Sequence, residues 1–142
     1  VYRYPIRSIT GELKYYLLFA TRHSKGALLM NDNVYLRNQD YQRDVEEFKQ
    51  NRDSQLGFFG DIDPTPVEIE TGRVNRLKAE LQARFSGKTQ SRQILRAAFL
   101  DSHFGEYNKP HFTRALKELS KEGILTLSGP ASEDETNVRF RP

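Results

Sequence analysis

Between Lys88 and Arg141 the apolar residues change period twice, and few folds accommodate that succession. In residues 91–103, Ile94, Leu95, Ala98 and Phe99 recur at helical spacing. In residues 110–122, Phe112, Ala115, Leu116 and Leu119 share one face, while Arg114, Lys117 and Lys121 point the other way. Pro110 follows Asn108 and Lys109 and suits a first helical turn. Gly123 stands where a helix end favours a left-handed residue. The period then shortens to that of strands. Residues 124–127 and 138–141 flank a polar loop at 128–137 and read as a β-hairpin.

Helix, short turn, helix and hairpin, in that order, spell a winged helix-turn-helix. The fold class expected is therefore α+β, with an N-terminal β-hairpin and helices followed by a C-terminal winged helix-turn-helix. In such a module the second helix enters a groove of nucleic acid. The candidate contacts are Lys109, His111, Arg114, Lys117 and Lys121, with Arg139 and Arg141 on the last strand as further phosphate contacts. The opposing reading is a module that docks a protein. Glu118 and Glu122 dilute the basic face, and Glu133, Asp134 and Glu135 place three acids in the wing, where they would repel phosphate.

Charge does not decide between these readings. The 142 residues hold 22 Lys and Arg against 19 Asp and Glu. Cut after Ser86, the chain has 13 basic and 12 acidic residues before the cut and 9 and 7 after it. Affinity for nucleic acid must then come from a local stripe. The absence of cysteine excludes disulfides, thiolate metal sites and a cysteine nucleophile. No run approaches the roughly 18 apolar residues of a membrane span, and no signal peptide is visible, so no membrane partner and a cytoplasmic location are expected. The chain starts at Val1 inside a strand-like run, as a fragment of a longer protein would.

Upstream, residues 1–7 and 13–21 read as a strand carrying Pro5 and an apolar, buried strand, joined at Thr10-Gly11. A short helix with Ala27, Leu28, Leu29 and Met30 follows, then an irregular stretch at 31–40 and a polar helix at 41–50. Residues 51–66 read as a loop anchored by Leu56, Phe58, Phe59 and Ile62. Residues 71–85 form an amphipathic helix on Val74, Leu77, Leu81 and Phe85, ended by the linker Ser86-Gly87. The division expected is 1–40 hairpin and short helix, 41–86 helical connector and 87–142 winged helix. A two-stranded hairpin is marginal alone. It must be covered either by helices 41–50 and 71–85 or by a second copy of the chain, making a homodimer.

Catalytic motifs are missing. There is no Gly-x-Gly-x-x-Gly, phosphate-binding loop, His-Glu-x-x-His or Gly-x-Ser-x-Gly. His23, His103 and His111 read as packed or surface histidines rather than zinc ligands. Asp61 and Asp63, straddling Ile62 before Pro64, either cap a turn or offer two carboxylates to a divalent cation. Arg22, Ser24, Lys25 and Gly26 form a corner between strand and helix, which either receives an anion or is an ordinary corner capped by Ser24.

Residues 15–26 read Tyr-Tyr-Leu-Leu-Phe-Ala-Thr-Arg-His-Ser-Lys-Gly, with Met30 in the following helix. This segment resembles the C-terminal part of the three-Cys-motif partner proteins. Those have a methyltransferase-like Rossmann domain whose last strand reads similarly, followed by a winged-helix region, as residues 90–140 do here. The resemblance implies that the cofactor-binding half lies upstream of Val1. It therefore carries no cofactor, no catalytic residue and no metal onto this chain. It also implies a radical-chemistry partner protein bearing three cysteines, and a role in nucleic-acid modification or repair in bacteria or phages. The chain is read as a nucleic-acid-binding or accessory region of such a system. The alternatives are an interaction module docking a partner enzyme and a non-catalytic fragment of a methyltransferase-like enzyme.

Overall fold

The computed structural model describes residues 1–53 and 65–142. They form a mixed α+β fold of strands β1 (Tyr2–Arg7) and β2 (Leu13–Phe19), helices α1 (Ser24–Asp53) and α2 (Pro66–Phe85), strand β3 (Thr89–Ser91), helices α3 (Arg92–Ala97), α4 (Leu100–His103) and α5 (Lys109–Lys121), and strands β4 (Leu125–Leu127) and β5 (Asn137–Phe140). The expected anchors Leu56, Phe58, Phe59 and Ile62, and the pair Asp61 and Asp63, lie outside the described residues.

Local chemistry starts and stops the two helices that frame the C-terminal part. Thr65 and Glu68 cap the start of α2 reciprocally: the Glu68 N–H donates to Thr65 Oγ1 at 3.3 Å and the Thr65 N–H donates to Glu68 Oε2 at 2.7 Å. Val74, Leu77, Leu81 and Phe85 are buried on one face of α2, as their spacing predicts. On α5, Asn108 and His111 form the equivalent box, with Pro110 in the first turn and Gly123 at φ +74° just beyond the last. Phe112, Ala115, Leu116 and Leu119 are buried against α2 and the sheet. The sheet is antiparallel in the order β3-β5-β4. Strand β3 is short and was not anticipated; it pairs Thr89 with Arg139 and Ser91 with Asn137. Val138 and Phe140 face the core, so Arg139 and Arg141 alternate to the outer face of the sheet.

Three expectations need correction. The helix expected at 91–103 is divided: the Phe99 N–H turns back to Arg96 O at 3.2 Å, which closes α3, and α4 starts at Leu100. The inner face of α3 is not the stripe with Ile94. Arg92, Leu95 and Arg96 are buried, and Phe99 follows on the same side, whereas Ile94 is 51% exposed. Two arginines take the inward positions because carboxylates meet them there. Second, the irregular stretch expected at 31–40 belongs to α1. Ala27, Leu28, Asn31, Val34 and Tyr35 form one buried helical stripe, in which Asn31 is the polar member that breaks the apolar pattern. Its side chain donates to Tyr107 O at 2.6 Å and accepts from the Gly105 N–H at 2.7 Å, so a buried polar group is satisfied. Third, Pro66 is helical rather than the end of a loop.

The hairpin β1–β2 lies against α1 and the turn after α4. Tyr2 stacks on Phe104 with ring centroids 4.9 Å apart, and the Tyr41 hydroxyl donates to Ser8 O at 2.8 Å. Gly105 has φ +81°, and a Cβ there would sit 2.6 Å from Val34 Cγ1 and 3.1 Å from the Tyr4 ring. Only glycine fits that approach. The opposite face of the hairpin, with Tyr16 and Leu18, is exposed.

Burial separates two apolar residues that sequence spacing treated alike. Leu116→Ala should lower the unfolding free energy by about 2–5 kcal/mol in urea denaturation. Ile94→Ala should change it by less than about 0.5 kcal/mol. Similar losses at both positions would contradict this packing.

Candidate functional site

The outer face of α5 is open along its length. Lys109, Pro110, Thr113, Arg114, Lys117, Glu118 and Lys121 line a shallow groove of about 590 Å³. Of the expected contacts, Lys109, Arg114, Lys117 and Lys121 share this surface. Their charges differ in availability. Arg114 Nε donates to Glu118 Oε1 at 2.9 Å, and Lys78 of α2 reaches Glu118 at 3.3 Å and Glu122 more closely still. The hydrogen bond from Arg114, joined by Lys78, holds the Glu118 carboxyl below the usual range. Both acids that dilute this face are thereby answered from within the protein. Lys117 and Lys121 are exposed and form no ion pair with a described residue.

His111 is a correction. It is buried, not on the outer face. Its Nδ1 accepts the Asn108 N–H at 3.1 Å, so the proton of the neutral ring lies on Nε2, 2.5 Å from Glu70 Oε2. Glu70 also accepts from the Tyr35 hydroxyl at 2.9 Å and from Arg73 at 2.7 Å. Burial lowers the His111 pKa, and it outweighs the opposing pull of Glu70. Burial works to raise the pKa of Glu70, but the bonds from His111 and Tyr35 and the charge of Arg73 hold it low. The Tyr35 hydroxyl is pushed up to about 12, first by burial and then by Glu70. The network ties α1, α2 and the start of α5 together.

The N-terminus of α5 is closed to an outside anion. The Lys109 N–H donates to Asp32 Oδ1 of α1 at 3.2 Å. Asp32 also accepts two bonds from Arg96, at 3.0 and 2.8 Å. Arg92 donates to Lys109 O and Thr113 Oγ1, each at 3.0 Å, and pairs closely with Asp134. Asp134, expected as an exposed wing acid, therefore faces inward between Arg92 and Arg96. Burial pushes the Arg92 pKa down and Asp134 opposes that shift. Glu133 and Glu135 remain exposed.

The corner residues do not converge on one point. Ser24 accepts from Gln93 Nε2 at 2.9 Å, while the Thr21 hydroxyl occupies the turn and accepts the His23 N–H at 3.1 Å. A Cβ on Gly26 would stand 3.2 Å from that hydroxyl. Arg22 is exposed on the corner without reaching Ser24. Lys25 borders a second groove of about 430 Å³, where Arg96 and Lys109 meet Asp32, Glu133, Asp134 and Glu135. Arg139 and Arg141 lie apart from the α5 groove, on the outer face of the sheet. His103 has Nε2 at 2.9 Å from Glu80 and Nδ1 at 2.8 Å from Glu106. Among the described residues no group of three His, Cys, Asp or Glu is arranged to hold a metal ion, and no helix is long and apolar enough to cross a membrane.

Sequence reasoning missed the inward roles of Arg92, Arg96, Asp32 and Glu70. A weak signal was present: Arg92 and Arg96 bracket Leu95 at helical spacing on an otherwise apolar face. Comparison with protein-family models, with curated proteins and with solved structures found no match.

His111 sets a pH dependence. Its pKa in the folded chain lies below the unfolded value of about 6.5, so the unfolded chain takes up the proton first as pH falls. The stability it contributes is full above that value and is lost as pH falls through the folded pKa. His111→Gln keeps an acceptor for Asn108 at the same helical position but does not titrate. It should flatten the fall in urea midpoint between pH 7 and 5; an unchanged profile would contradict the role.

Proposed function

We propose that residues 87–142 form a winged helix-turn-helix and that the chain is a nucleic-acid-binding accessory region, engaging duplex phosphates through the outer face of α5. The observation that carries this reading is the open groove on that helix. There Lys117 and Lys121 form no ion pair with a described residue, while Glu118 and Glu122 are neutralised by Arg114 and Lys78. The succession of β3, α3, α4, α5, β4 and β5, with β5 central in the sheet, supports the winged-helix assignment. Lys109 and Arg114 extend the contact along the helix. Arg139 and Arg141 would reach phosphate only from the sheet side.

The proposal keeps the three-Cys-motif partner resemblance as its family placement. On that placement the chain works in the cytoplasm beside a radical-chemistry protein, downstream of a methyltransferase-like domain, and takes no direct part in catalysis. A second reading, docking of a partner protein, draws support from the groove where Asp32, Glu133, Asp134 and Glu135 outnumber Lys25, Arg96 and Lys109.

Fluorescence anisotropy with a short duplex, across a salt series, separates the two. Nucleic-acid binding predicts affinity that falls steeply with salt. Lys117→Ala with Lys121→Ala should weaken binding at every sequence and flatten the log–log slope by about one unit for each phosphate no longer neutralised. Absence of salt-dependent binding, or an unchanged slope in the double variant, would overturn the nucleic-acid reading and leave docking.

A further inference from the structure

Arg114 differs from the lysines that share its face of α5. Its Nε donates to Glu118 Oε1, one turn along the helix, at 2.9 Å. Glu118 is itself held from α2: its Oε2 accepts from Lys78 at 3.3 Å, and Lys78 also pairs closely with Glu122. The side chains of Lys78 and Glu118 are 16% and 32% exposed, so the relay from Lys78 through Glu118 to Arg114 starts at the packed contact between α2 and α5. It fixes Arg114 by Nε alone. The two terminal nitrogens of the guanidinium make no hydrogen bond to a described residue, and the side chain is half exposed on the open groove. A planar fork of N–H donors is thus oriented before any ligand arrives.

We propose that Arg114 is the specificity-determining residue of α5 and reads guanine in the major groove of duplex DNA through its two terminal nitrogens. This rests on the nucleic-acid reading of α5 above. Guanine presents O6 and N7 side by side on that groove edge, and an arginine fork matches the pair. Duplex RNA hides the same edge in a deep, narrow groove, so the occupant is DNA. Phosphate would suit the same fork, but charge divides the two roles. The carboxylate of Glu118 already offsets the Arg114 charge, so Arg114 gains less from a phosphate than an unpaired cation does. Lys117 and Lys121 follow along the same stripe and form no ion pair with a described residue. They are the backbone contacts, which place the helix without reading sequence. A bidentate hydrogen bond depends on orientation more than on net charge, and orientation is what Glu118 supplies. Fixing it beforehand also lowers the entropy lost on binding. Glu118 is a positioning residue in this scheme.

The test uses the full chain and chemically altered bases. A DNA duplex library with a randomised centre is selected on the natural chain, and the recovered duplex is labelled for anisotropy. Guanine should recur at a fixed position. Replacing that guanine by 7-deazaguanine removes N7 and should weaken binding roughly tenfold, whereas inosine, which keeps O6 and N7, should bind as before. Arg114→Lys keeps the charge but not the fork. It should lose the discrimination against 7-deazaguanine and keep the salt slope of the natural chain. Glu118→Ala removes an acid from the face and frees Arg114. It should tighten binding to unselected duplex while narrowing the preference for guanine. Absence of salt-dependent duplex binding would overturn this inference together with the reading beneath it. Duplex binding without a guanine preference, a preference that Arg114→Lys leaves intact, or equal tightening of selected and unselected duplexes by Glu118→Ala would overturn this inference alone.

Discussion

Two buried arginines on α3 organise the molecule: Arg92 closes the C-terminal part on itself, and Arg96 ties it to α1. Arg92 and Arg96 leave the inner face of α3 and meet Asp134 from the loop before β5 and Asp32 from α1. Segments distant in sequence are thereby fixed at one place. Removing one partner from a buried pair of this kind strands a charge and costs roughly 3–5 kcal/mol. The pairs are therefore constraints on geometry more than net sources of stability. They draw the loop before β5 against α3, set Asp32 on the first N–H of α5, and hold α1 against α3.

The surface charge follows from this arrangement. Asp32 and Asp134 are committed to internal cations, and Asp32 also satisfies the N-terminus of α5. Glu118 and Glu122 are committed to Arg114 and Lys78. What α5 offers to solvent is graded. Carboxylates gather near its start, around the groove with Glu133 and Glu135, and lysines that pair with no described residue lie toward its end. A count of charges, close to balance in both parts of the chain, cannot display that gradient. It arises because ion pairing consumes particular acids and leaves particular bases.

Where periodicity alone decides, the sequence was readable. Val74, Leu77, Leu81 and Phe85 of α2, and Phe112, Leu116 and Leu119 of α5, are buried as their spacing requires, and Gly123 ends α5 with the left-handed backbone expected of it. The strands of both hairpins stand where apolar runs and turn residues put them, but β2, expected to be buried, leaves Leu13, Tyr15, Tyr16 and Leu18 exposed. Reading failed where a polar residue occupied an inward position. Asn31 interrupts the apolar pattern of α1, and the arginines on α3 turn the stripe so that Ile94, which the spacing assigns to the core, faces out. His111 was placed among surface cations because its helical position is one turn from Arg114; its actual partner, Glu70, lies 41 residues away in sequence. A buried polar group is legible only with its partner, and no local pattern supplies a partner that distant. The candidate lysines of α5 were legible for the opposite reason: exposure on an amphipathic helix is a local property.

The proposed function turns on which end of α5 would meet a ligand. A titration of the isotope-labelled chain with a short duplex, followed by amide chemical shifts, tests this most directly. Binding through the outer face of α5 predicts shifts that concentrate at Arg114, Lys117, Lys121 and their neighbours and leave Glu133 and Glu135 unmoved. Shifts centred on Lys25, Asp32 and Glu133–Glu135, with the end of α5 silent, would contradict it.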